Sequence, residues 1–212
     1  MRLWVGNNKI KAIIFDVDGV IFKTHDASGN YLWSQSVKED LGLTSQHFSV
    51  IFSEKWESII RGKIKLDAHL HPIFQEKLFK DLGITPEQYI QYWLTHDHHL
   101  NQEILDLVKS LKIPCYLGTN QEALRTKHIL DTVGSYFKEC FASYKIGFIK
   151  PEQGFFQHIQ KALSLLPHEL LLIDDTKNNT LGAQDCGWHV YHYQNDIEGL
   201  MDFFKKYEVM NG

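Results

Sequence analysis

The sequence predicts an α/β fold: a parallel sheet wrapped by helices and interrupted by an all-helical insert. Three observations carry that prediction. Short apolar runs alternate with amphipathic segments through the C-terminal half, the pattern of a parallel sheet covered on both faces. Residues 24–97 hold helix after helix with no convincing strand. The third is the run Ile13-Ile14-Phe15-Asp16-Val17-Asp18-Gly19-Val20, in which a buried apolar segment delivers two carboxylates and then a glycine. The expected core is therefore discontinuous, residues 1–23 and 98–212, with residues 24–97 forming a cap.

Taken in order, the first strand ends at Asp16. The insert follows, with Phe48, Ile51, Phe52, Trp56, Ile59 and Ile60 as one apolar stripe, and Thr85-Pro86-Glu87-Gln88 as a capping box opening a helix through Tyr89, Ile90 and Trp93. The crossings between core and insert fall near residues 22–30 and 96–101, since inserted domains commonly enter through surface loops. Residues 113–118 read as a strand. Asn120 is then placed to cap a helix whose Leu124, Ile129, Leu130 and Val133 recur at helical spacing before Gly134 stops it. After a short run around Phe141, Pro151 suits the first turn of a helix carrying Phe155, Ile159, Ala162, Leu163 and Leu166, closed by Pro167. Leu170-Leu171-Leu172-Ile173 is a buried strand, and a last helix over residues 197–207 packs through Leu200, Met201, Phe203 and Phe204.

In an open parallel sheet, ligands bind beyond the carboxyl ends of the strands. Asp16 and Asp18 follow the first strand, Thr119 follows residues 113–118, Lys150 precedes the helix near Pro151, and Asp174 and Asp175 follow residues 170–173. Ionised carboxylates are costly to bury unless paired or bound to a metal, so these acids mark a site. A hard dication such as Mg2+ takes one or two carboxylates plus phosphate oxygens and water, and Asp16 with Asp175 supplies that count. Asp16 is placed to attack phosphorus and form an aspartyl-phosphate. Asp18, on the same side if the extended geometry persists, is the candidate acid/base. Thr119 and Lys150 are expected to hold phosphoryl oxygens, with Asn120 beside them, and Gly19 to let the backbone approach the ligand.

With these residues in place, the chain resembles the haloacid-dehalogenase-like hydrolases, in the branch with a helical cap. Asp16-Val17-Asp18-Gly19-Val20, Thr119 in Leu117-Gly118-Thr119-Asn120, Lys150-Pro151-Glu152 and Asp174-Asp175-Thr176 resemble the family's four motifs in family order. The resemblance implies a Rossmann-like core, Mg2+, a nucleophile at Asp16 and an acid/base at Asp18. It also implies metal binding by the Asp16 side chain, the Asp18 carbonyl and Asp175, with Asp174 next in order and Asn179 third. Val20 stands where the family commonly has Thr, and Asn179 where many members carry a further Asp. Dehalogenases of this family typically lack the acid matched by Asp18, so its presence points to phosphate chemistry. The function expected is hydrolysis of a small phosphorylated metabolite, a sugar phosphate among the candidates. A phosphotransferase or mutase of the same fold is the alternative, and a receiver-like phosphoacceptor domain is an alternative from another class.

Other features receive quieter readings. Lys+Arg of 22 against Asp+Glu of 26, with no basic block, argues against nucleic acid. Three widely spaced cysteines argue against a disulfide framework, and the expected compartment is a reducing cytosol. Residues 1–6 lack the apolar core of a signal peptide, and no apolar run reaches membrane-spanning length, so a soluble protein is expected. His96-Asp97-His98-His99 and His69-Leu70-His71 read as solvated or packed histidines. Trp56, Tyr92 and Trp93 read as the core of the insert, and Cys115 as a buried inert thiol.

Overall fold

The computed structural model describes residues 9–26 and 28–210; the N-terminal segment read above lies outside them. Five strands, β1 (Ala12–Phe15), β2 (Cys115–Thr119), β3 (Cys140–Ala142), β4 (Leu170–Asp174) and β5 (His189–His192), form one sheet in the order β3-β2-β1-β4-β5. All four pairings are parallel, with Ile13 opposite Cys115 and Ala12 opposite Leu170. This is a Rossmann-like α/β core.

Side-chain alternation along the strands builds two apolar layers. Ile13 and Phe15 with Leu171 and Ile173 face one cluster, closed by the helices Gln102–Ser110, Ala123–Val133 and Ile197–Lys206. Ala12 and Ile14 with Leu170 and Leu172 face the other, covered by Gln153–Leu163 and Lys177–Asp185. The insert has an apolar centre of its own, from Val37 to Trp93, including Leu70, Phe79 and Tyr89. The capping box at Thr85 forms as expected: Gln88 N–H donates to Thr85 Oγ1 (3.2 Å) and Thr85 N–H to Gln88 Oε1 (2.8 Å).

Several local expectations are corrected. The stripe from Phe48 to Ile60 is split between two short helices, Ser45–Ile51 and Trp56–Ile60. Glu122, not Asn120, caps Ala123–Val133, because its carboxylate accepts the N–H groups of Leu124 and Arg125 while the Asn120 amide is engaged elsewhere. Pro151 precedes the helix it was expected to open, which begins at Gln153. Leu124 and Leu130 lie at the surface, since the buried face of Ala123–Val133 runs through Arg125, Ile129 and Val133, and Leu166 is exposed beyond the end of Gln153–Leu163. No helix among the described residues is long and apolar enough to cross a membrane.

Candidate active site

The carboxyl ends of β1, β2 and β4 meet around a buried charge cluster. Asp16 remains tied to the sheet, its N–H donating to the Ile173 carbonyl (2.8 Å), and its carboxylate is buried. The Lys150 ammonium, also buried, lies 2.9 Å from Asp16 Oδ1 and 2.6 Å from Asp174 Oδ2. Burial pushes the Asp16 carboxyl well above the usual carboxylate range; Lys150 opposes that shift and Asp174 adds to it. Burial alone would lower the Lys150 ammonium, but Asp16 and Asp174 outweigh it and hold Lys150 above its ordinary value. The Asp175 carboxyl is raised by burial and then by the charge of Asp174.

One carboxylate oxygen from each of Asp16, Asp174 and Asp175 lies within 4.8 Å of the others. Three carboxylates against one ammonium leave excess negative charge, and an all-oxygen donor set of that kind fits a hard dication. The three acids are not equally free. Asp174 is fully buried and spends both oxygens on protein donors: Lys150 Nζ, the Thr176 N–H (2.9 Å) and Asn179 Nδ2 (3.0 and 3.2 Å). Among the described residues the Asp175 carboxylate accepts a hydrogen bond only from the Thr176 hydroxyl (3.2 Å), so it has lone pairs to offer. Asn179, third in the expected metal order, donates its amide to Asp174.

Two residues expected near the ligand also have structural partners. Gly19, expected to let the backbone approach the ligand, donates its N–H to the Phe22 carbonyl (2.8 Å). Gly19 has φ +75°, and a Cβ there would overlap the Asp175 carboxylate, so its role is to admit Asp175. The Asn120 side chain donates to the Lys150 carbonyl (2.9 Å) and accepts the Lys150 N–H (2.8 Å), fixing the loop that carries Lys150.

β1 ends at Phe15, so the extended geometry does not persist to Asp18, which nonetheless lines the same cavity as Asp16. There Asp18 is held by residues the sequence reading missed. Arg125 donates to both its oxygens (2.8 and 2.6 Å), and Gln121 Nε2 donates to Oδ2 (2.6 Å). The signal was present in the sequence: Arg125 shares the i, i+4, i+8 face with Ile129 and Val133, an arginine at a core position.

Asp16, Asp18, Thr119 and Asp175 line a cavity of about 670 Å³ together with an aromatic group that includes Trp33, Phe52, Trp56 and Trp93. Phe52 stands edge-on to Trp56 (ring centroids 4.7 Å apart), and Trp93 lies 6.1 Å from Trp33 and 6.3 Å from Trp56. The tryptophans of the insert thus serve both its core and the cavity, a correction to their reading as core alone. Tyr92 points elsewhere, its hydroxyl donating to Asp40 (2.8 Å). His69 is packed in the insert, donating to the Ile51 carbonyl (2.8 Å). The Cys115 thiol is pushed up to about 12 by burial.

A family model for haloacid dehalogenase-like hydrolases matches residues 10–187, and the chain belongs to that family. It is similar to the sesquiterpene phosphatase astK of Aspergillus oryzae, 27% identical over 202 residues that cover 91% of this chain and 94% of the relative. It is also similar to the putative HAD-hydrolase YfnB of Bacillus subtilis, 24% identical over 197 residues covering 85% and 84%. A family enzyme of Bacteroides thetaiotaomicron, crystallised with magnesium and inorganic phosphate, superposes with a TM-score of 0.68 at 20% identity, covering 88% of this chain and 96% of that one.

Proposed function

We propose that this hydrolase is a magnesium-dependent phosphatase acting on the phosphate monoester of an apolar alcohol. The carrying observation is that strand-end carboxylates and a group of aromatic rings line one cavity. The Aspergillus relative, named a sesquiterpene phosphatase, and the magnesium and phosphate of the Bacteroides structure support the same reading.

Asp16 is the nucleophile. It attacks phosphorus, the bond from phosphorus to the alcohol oxygen breaks, and Asp18 gives that oxygen its proton. Asp18 then takes a proton from water as the water opens the aspartyl-phosphate, releasing phosphate and restoring Asp16. Thr119 and Lys150 hold the non-bridging oxygens, and the Lys150 charge offsets the negative charge gathered there. Asp16, the Asp18 carbonyl and Asp175 would hold Mg2+, which would supply further positive charge at the phosphoryl oxygens.

The aromatic wall sets the alcohol. Burying about 150 Å² of hydrocarbon at about 25 cal/mol per Å² is worth about 4 kcal/mol before the costs of ordering the chain. Ring faces return that to a hydrocarbon and less of it to the hydroxyls of a sugar, so an apolar ester is favoured over the sugar phosphate considered from sequence. The test is phosphate release with Mg2+ from a prenyl monophosphate, a hexose 6-phosphate and phosphocholine. The prenyl ester should lead in kcat/KM by about 10- to 100-fold. A lead for the hexose ester would overturn the apolar assignment, and a lead for phosphocholine would assign the rings to a cation.

A further inference from the structure

We infer that Arg125 is a positioning residue that aims the Asp18 carboxyl and ties it to the junction between core and insert. The inference rests on the phosphatase reading above and concerns how its proton-transfer group is held.

Arg125 is buried on the helix after β2, and its guanidinium is shared between two acids. Nη1 and Nη2 take the two Asp18 oxygens (2.8 and 2.6 Å), and Nε donates to Asp97 Oδ2 (2.6 Å). The two acids differ in exposure: the Asp97 side chain is 8% exposed and that of Asp18 is 40%. Exposure decides which pair is permanent. A buried guanidinium left without a partner is strongly unfavourable, so Asp97 is the standing counter-ion. Asp18, at the cavity, is the member free to turn toward a leaving oxygen without stranding Arg125.

The surroundings fix Arg125 as well. Its guanidinium carbon lies 6.0 Å from the Phe22 ring centroid and 5.8 Å from that of Trp93. Phe22 and Asp97 lie in the two crossings between core and insert. Those crossings are bonded together, Lys23 N–H to the His99 carbonyl (2.7 Å) and Asn101 N–H to the Ile21 carbonyl (2.8 Å). Trp93 belongs to the aromatic wall. One side chain therefore touches the proton-transfer acid, both crossings and the leaving-group wall. A planar five-donor fork can do this, whereas a lysine supplies one point of charge.

The test separates positioning from general structural support by the leaving group. Arg125→Gln, Arg125→Lys and Asp97→Asn are assayed as folded, Mg2+-loaded proteins on 4-nitrophenyl phosphate and on an alkyl phosphate. The alkyl ester needs a proton on its leaving oxygen, and the nitrophenyl ester scarcely does. Arg125→Gln should lower kcat/KM for the alkyl ester about 100-fold and for the nitrophenyl ester less than about fivefold. Arg125→Lys should recover part of the alkyl rate, and Asp97→Asn should show the same bias more weakly. In an Asp18→Asn background, Arg125→Gln should cost little more. Should Arg125→Gln not fold, the Arg125→Lys and Asp97→Asn arms decide. Equal losses on both esters, or a full further loss in the Asp18→Asn background, overturn the role of Arg125 alone. A wild-type protein that releases phosphate from neither ester overturns the phosphatase reading and this inference with it.

Discussion

Replacing Lys150 with Met should destabilise the metal-free protein most at high pH. The ammonium sits between Asp16 Oδ1 (2.9 Å) and Asp174 Oδ2 (2.6 Å) with essentially no exposure, so its loss leaves two buried carboxylates facing each other. Their nearest oxygens lie within 4.8 Å; at that separation two charges repel by about 3 kcal/mol for an effective dielectric of about 20. Stripping one partner from a buried ion pair costs about 3–5 kcal/mol, in line with that figure. At about 2–4 °C per kcal/mol for a chain of this size, Tm should fall by about 6–20 °C. The sign with pH follows from Asp16, whose folded pKa is already raised by burial and loses in Lys150 its chief downward influence. A raised carboxyl binds its proton in the folded state where the unfolded chain, titrating near about 4, has lost it. Stability therefore falls as pH rises from about 4 through the folded value, so the deficit should be large at pH 8 and shrink toward pH 5. Thermal unfolding followed by circular dichroism in chelator measures it, and adding Asp174→Asn should restore most of the lost stability. A Tm within about 2 °C of wild type at pH 8, or a deficit independent of pH, would refute the reasoning.

The remaining expectations address turnover, metal and substrate. Asp16→Asn should lower phosphate release on the order of 10⁴-fold or more while circular dichroism shows the fold retained, because an amide fills the space but cannot attack phosphorus. Asp175→Ala should weaken Mg2+ binding, measured by calorimetry, more than Asn179→Ala does, since Asn179 acts on Asp174. Gly19→Ala should weaken Mg2+ binding at least about tenfold by displacing the Asp175 carboxylate and straining a positive φ, and unchanged affinity would dismiss that role for Gly19. Trp56→Ala should raise KM for a prenyl monophosphate about tenfold and leave KM for 4-nitrophenyl phosphate nearly unchanged, a split that steady-state kinetics on the two esters resolves.

What the sequence made legible follows from which signals are local. Strands β1 and β4 were readable because both their faces are covered, which writes an unbroken apolar run. β5 was not, because His189-Val190-Tyr191-His192 is half-buried at the sheet edge and carries no such run. The acids at the strand ends were readable, since ionised groups after apolar runs need a reason. Their division of labour was not: that Asp174 is consumed by Lys150, Thr176 and Asn179 while Asp175 stays free depends on side-chain directions beyond β4. Asn120 shows the same limit, a polar residue ahead of a helix that looks like a cap yet is taken by the backbone of Lys150, thirty positions on. Arg125 left a trace in its position on an apolar helical face, but its partners lie 28 and 107 positions away and no periodicity reports them.

The insert meets the core at two places of unequal strength, and this bears on how an apolar ester reaches the carboxylates. At the junction, the Arg125 and Asp97 pair is buried and the crossings are bonded to each other, so opening there would strand charges in a dry interior. At the far end, Arg61 reaches Glu152, two residues past Lys150, by a paired contact (2.8 and 2.6 Å), Gly62 lies against the Tyr144 carbonyl, and the Ser143 hydroxyl donates to the Ile60 carbonyl (2.5 Å). The Arg61 and Glu152 side chains are 13% and 39% exposed, so this pair is more open to water than that of Arg125 and Asp97, at 5% and 8%. Water can therefore reach the Arg61 contact more readily than the buried pair of Arg125 with Asp97. We therefore expect the tip, where Glu152 lies two residues past Lys150, to yield before the junction that the buried pair of Arg125 and Asp97 holds.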